Sequence, residues 1–141
     1  MSHDSGEMMK KYVTVKQKHR LTKERNLLFQ GSADIDKDAH CLCIKYMEQD
    51  SHTHVDIYAY EQELKLCRIG EAKTRLHFIT GKKTLCSIES EYGVIDLHIY
   101  THKYIRKDNV IAIEYDIVHD DVVTDGFYII WNIEEGSCES D

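Results

Sequence analysis

The 141-residue chain contains no proline. Every backbone N–H can therefore join a sheet ladder, and no element is forced to kink or stop. No apolar run approaches the ~20 residues that carry a helix across a bilayer. Met1-Ser2-His3-Asp4-Ser5-Gly6-Glu7 lacks the basic-then-apolar order of a signal peptide. Both absences point to a cytoplasmic protein with no membrane partner. The seven glycines fall in no G-x-G-x-x-G, P-loop or G-x-S-x-G pattern, so neither a nucleotide fingerprint nor a nucleophile elbow is present. No cofactor is called for, and enzymatic activity finds little support.

Cysteine is present but in odd number, five. Cys41, Cys43, Cys67 and Cys86 fall within expected strands rather than in a loop framework, which fits reduced thiols in a reducing compartment. The net charge of −7 leaves too little clustered cation for a nucleic-acid partner. Charge is unevenly placed, however. Residues 10–25 hold Lys10, Lys11, Lys16, Lys18, Arg20, Lys23 and Arg25 against the single acid Glu24. After Lys107 there is no Lys or Arg, while acids run from Asp108 to Asp141.

What the chain does have is alternation. Val13, Val15, Gln17 and His19 share a face, as do Leu27, Phe29, Gly31, Ala33 and Ile35, then Leu42, Ile44, Tyr46 and Glu48, then Val55, Ile57 and Ala59. Leu64 and Leu66 lead to Arg68, Leu76 pairs with Phe78, and Ile95, Leu97 and Ile99 lead to Thr101. Ile111, Ile113, Tyr115 and Ile117 and finally Phe127, Ile129, Trp131 and Ile133 complete the set. A period of two with one dry face predicts antiparallel strands, about ten of them at hairpin spacing, with no helix. Sequential strands on short turns favour an up-and-down barrel over a β-sandwich. Closure would pair the first strand with the last and set the basic face of residues 11–23 beside the acid-rich C-terminal strands. The expected division is a disordered segment 1–9, a barrel domain 10–135 and a flexible acidic tail 136–141.

Tyr46-Met47-Glu48, Leu66-Cys67-Arg68-Ile69-Gly70, Leu76-His77-Phe78, Tyr92-Gly93, Ile99-Tyr100-Thr101 and Ile113-Glu114-Tyr115 occur in an order that resembles the bacterial YwiB family, DUF1934. The likeness spans residues 10–134. It departs at Ile88-Glu89-Ser90, where the family tends to carry Tyr-x-Thr. The resemblance implies a calycin-like, lipocalin-type barrel of about 8–10 antiparallel strands with an interior ligand as an option. It implies no activity.

Alternation carries Gln17, Tyr46, Glu48, Arg68, Thr101, Tyr115 and Trp131 toward the barrel interior or its mouth. An inward arginine needs a partner. In one reading Arg68 grips the carboxylate or phosphate of a small amphipathic ligand, with Tyr46, Tyr115 and Trp131 as aromatic wall. In the other it pairs with Glu48 and ties two strands together. As an enzyme residue Arg68 would be an electrostatic clamp beside Glu48. The outward tyrosines Tyr58, Tyr60, Tyr100, Tyr104 and Tyr128 offer cross-strand pairs or the anchors of a homodimer. Asp96, His98 and His102 form an outward row, and His52 and His54 flank a turn; neither set converges as zinc requires, and Cys41-x-Cys43 lacks a second pair. No metal is expected.

Overall fold

The computed structural model describes residues 8–48 and 51–135. The expected tail 136–141, residues 1–7 of the expected disordered segment, and Gln49 and Asp50 of the expected turn lie outside the described residues. Met8 and Met9, expected in the disordered segment, instead open the first strand, opposite Asp36 and Ile35.

Ten strands follow one another: β1 Met8–His19, β2 Arg25–Lys37, β3 Cys41–Glu48, β4 Thr53–Tyr60, β5 Glu63–Ile69, β6 Lys73–Ile79, β7 Lys83–Ser90, β8 Gly93–Lys107, β9 Val110–His119 and β10 Val122–Ile133. Each pairs antiparallel with its neighbours in sequence, and β1 closes on β10 to complete a barrel. The alternating apolar residues cause this: Val13, Val15, Ile44, Ile57, Leu64, Phe78, Ile99, Ile111, Ile113 and Trp131 all point inward and are buried. Short turns rich in Gly, Asp and Lys supply the left-handed backbone that tight hairpins demand, as at Gly81, Gly93, Asp108, Asp120 and Asp121. Among the described residues there is no helix, so none is long and apolar enough to cross a membrane.

Bulges decide which side chains reach the interior. An extra residue in one strand reverses the alternation beyond it. On β8, Thr101 faces Tyr115 and Lys103 faces Glu114, which leaves His102 as the extra residue. Beyond it Tyr104 and Arg106 lie opposite Ile113 and Ile111, on the inward side. Tyr104, expected outside, is therefore an interior residue. On β2 the same effect operates at Leu28: Phe29 faces Val15 but Leu27 faces Lys16. Leu27, expected in the core row, is 56% exposed, and Leu28 packs toward the core instead.

The two ends of the barrel differ. The turns after β2, β4, β6 and β8 gather at one end, where Arg106 Nη1 donates to the Ala59 carbonyl at 2.9 Å and the Tyr104 hydroxyl donates to the Tyr60 carbonyl. This end is closed. The turns after the odd-numbered strands ring the other end, which is open. Closure of β1 on β10 occurs as expected, but the residues facing Lys16 and Lys18 on β10 are Ile130 and Tyr128, not acids. The C-terminal acids meet Arg20 instead, whose Nε lies 3.2 Å from Glu114 and whose Nη1 bonds Asp116.

Candidate functional site

At the open end the inward faces of β1, β2, β3, β4, β5, β6, β9 and β10 enclose a cavity of about 370 Å³. Its depth is apolar and aromatic: Val15, Leu66, Phe78, Tyr115, Ile129 and Trp131. Its rim is polar: Gln17, Glu48, Arg68 and Thr74. The volume falls within the ~300–1,000 Å³ of small-molecule sites.

Register explains the polar rim. On the interior face, Glu48 of β3 pairs with Thr53 of β4, and Val55 of β4 pairs with Arg68 of β5. Glu48 and Arg68 thus flank β4 one step apart, within reach over it. Arg68 Nη2 donates to Glu48 Oε1 at 2.6 Å, and Ser51 Oγ donates to the same oxygen at 3.3 Å. The Glu48 side chain is 14% exposed and that of Arg68 is 44% exposed. Among the described residues, the other guanidinium donors of Arg68 and the second oxygen of Glu48 have no hydrogen-bond partner. The pair is real, it is single-pronged, and it leaves the cavity open. Just past the end of β5 comes Gly70, where a Cβ would stand 2.6 Å from Thr53 Oγ1. Only glycine lets the chain turn this close to the mouth.

Beneath the pair, Tyr46 connects rim to floor. Its ring stacks on Phe29 with centroids 4.3 Å apart, and its Oη accepts from Trp131 Nε1 at 3.1 Å. That bond uses the oxygen and leaves the phenolic hydrogen to donate. Burial pushes the Tyr46 phenol well above its ordinary pKa, with the Trp131 hydrogen bond opposing the shift. Tyr115 is raised for the same reason, burial first. Both therefore stand in the cavity as neutral donors.

Six of the seven residues that alternation places inward line this one cavity: Gln17, Tyr46, Glu48, Arg68, Tyr115 and Trp131. Thr101 does not. It is fully buried on β8 outside the cavity wall, and its Oγ1 has no partner among the described residues.

Alternation also missed two arrangements. His102, expected in a solvated row, turns at the β8 bulge to place Nε2 2.7 Å from Asp116 Oδ2, while Arg20 bonds the other oxygen of Asp116. Gly126 admits this packing, since a Cβ there would meet Asp116 Oδ1 at 2.6 Å. His19 accepts the Leu21 and Thr22 amides on Nδ1, which assigns its ring proton to Nε2 and to the bond with Asp125. Together these contacts brace the β1–β2 hairpin against β8, β9 and β10. The sequence signals were a histidine within a strand and a glycine within another, but neither names its partner. No group of three or more His, Cys, Asp or Glu able to hold a metal occurs among the described residues.

The geometry can be compared with known proteins. The family model described as "Domain of unknown function (DUF1934)" matches residues 10–128. The chain belongs to the DUF1934 family. The crystal structure of ywiB protein from Bacillus subtilis superposes with a TM-score of 0.71 at 19% identity, covering 92% of this chain and 96% of that one. At that identity the likeness speaks for fold, and the closed ten-stranded barrel fits a calycin-like architecture. Among proteins of curated function, none matches the chain. For this DUF1934 member the cavity itself is therefore the guide to function.

Proposed function

We propose that this DUF1934 barrel binds a small amphipathic molecule carrying one anionic group, with its apolar part among Leu66, Phe78 and Trp131 and its anion at Arg68. The observation that carries this reading is the contrast within one cavity: an apolar depth of about 370 Å³ beneath an arginine that spends a single donor on Glu48. A carboxylate or phosphate can take the remaining donors as a two-pronged contact without breaking the Glu48 bond. The Tyr46 hydroxyl, already oriented by Trp131, supplies a further donor. Glu48 disfavours doubly charged or crowded anions at the rim by like-charge repulsion. The outer tyrosine face is a weaker basis for a homodimer, because Tyr104 lies inside the barrel.

Native mass spectrometry of protein purified from its own host tests the reading. The expected result is a co-purifying small anion that is lost in Arg68→Gln. A barrel that carries no small molecule, or one whose bound molecule is indifferent to Arg68→Gln, contradicts it.

A further inference from the structure

A second concavity lies on the outer face of the barrel and meets the mouth only at Gln17 and Leu27. On the outer face of β2, β1 and β10, the register sets Arg25, Lys18 and Tyr128 in one row across the strands. Leu27, Lys16 and Ile130 form the next row. These six side chains, with Gln17 and Asn26, border a groove of about 430 Å³. Strand closure alone would make these cations one pole of a charge pair. In the structure they face no acid.

The pattern asks for an anion. Lys18 and Arg25 are directly opposite each other on paired strands, an arrangement that is unfavourable between like charges. No carboxylate borders the groove. Among the described residues, no ion pair involves Lys16, Lys18 or Arg25. Across from Tyr128 the register partner on β9 is Glu114, which is taken by Arg20. All this occurs in a chain of net charge −7, so the local excess is not a share of a general positive field.

The pattern also asks for an apolar body. Leu27 and Ile130 flank Lys16, and Tyr128 is 42% exposed with Lys18 Nζ 5.9 Å from its ring centroid. An inorganic anion would use the cations and leave this surface wet. A flat apolar ring bearing a phosphate or carboxylate would use both.

We propose that this outer groove is a binding site for a small organic anion with an apolar ring. Arg25 takes the anion by its planar fork, Lys18 adds a point charge, and the ring rests over Leu27 and Ile130 beside Tyr128. Occupancy removes the repulsion between Lys18 and Arg25, so the ligand relieves a cost already present in the fold.

Amide-resolved nuclear magnetic resonance with phenyl phosphate as probe tests this, with inorganic phosphate and phenol as its two halves. Saturable shifts confined to residues 16–18, 25–27 and 128–130 are expected, with affinity roughly tenfold above either half. Lys18→Gln combined with Arg25→Gln should weaken phenyl phosphate by roughly tenfold or more, and unchanged amide shifts elsewhere will report an intact barrel. Separately, Ile130→Ser should bring phenyl phosphate down toward inorganic phosphate. Three outcomes overturn the proposal: no saturable shift, equal binding of inorganic and phenyl phosphate, or shifts centred on Trp131 and the mouth. Binding to vesicles of anionic lipid without binding of phenyl phosphate also overturns it and assigns the groove to a membrane surface.

Discussion

Each end of this barrel carries an inward arginine, and the two are used differently. At the closed end Arg106 donates to the backbone carbonyl of Ala59, and Tyr104 covers the neighbouring carbonyl of Tyr60. Those acceptors are part of the fold and cannot leave. At the open end Arg68 donates once, to a side-chain carboxylate that also takes Ser51, over a cavity. That contact can be shared or exchanged. An arginine bonded to main chain ties the barrel end together, whereas one bonded to a single side-chain carboxylate keeps its other donors available.

The largest perturbation should come from the floor on which the mouth depends. Trp131 is buried, bonded to Tyr46 and packed in the cavity wall. Trp131→Ala should cost about 3–5 kcal/mol in urea unfolding, from lost burial and the enlarged void. A loss below about 1 kcal/mol would mean that the floor collapses freely and the cavity is not preformed.

Alkaline pH should loosen both ends. Burial raises the phenol of Tyr104 to about 12, and raises Tyr46 and Tyr115 further. Below about pH 10 these phenols are neutral in both folded and unfolded chains, so their contribution is whole. Above that value the unfolded chain releases protons that the barrel retains, and stability falls as pH climbs toward the raised values. Urea midpoints measured across this range should drop. Tyr104→Phe should flatten the part belonging to the closed end, and Tyr46→Phe the part belonging to the mouth.

The arginines themselves should separate in stability. Arg106→Gln should cost about 1.5 kcal/mol or more, because its charge-assisted bond to the Ala59 carbonyl is lost. Arg68→Gln should cost less than about 1 kcal/mol, as for other ion pairs near solvent. Equal losses in thermal or urea unfolding would erase the distinction between a seal and a binding residue.

Much of this contrast could be read from the sequence, and the reason it stopped is specific. Alternation places Glu48 and Arg68 on the interior face because β3, β4 and β5 run without interruption between them. It fails at Tyr104 because one extra residue, His102, reverses the face of everything beyond it on β8. It fails at Leu27 in the same way, through Leu28. Strand periodicity carries no mark of such insertions, since they arise from how two strands meet. The pairing of Trp131 with Tyr46, and of Arg20 with Asp116, is equally silent, because each contact joins residues far apart in the chain.

Trp131 is the only tryptophan of the chain, and it lines the open cavity, so its fluorescence reports on that site alone. Titration with a medium-chain carboxylate should give a saturable change in Trp131 emission that is lost in Arg68→Gln and kept in Arg106→Gln. An unchanged emission, or a change that survives Arg68→Gln, would contradict the assignment of the mouth as an anion-anchored binding site.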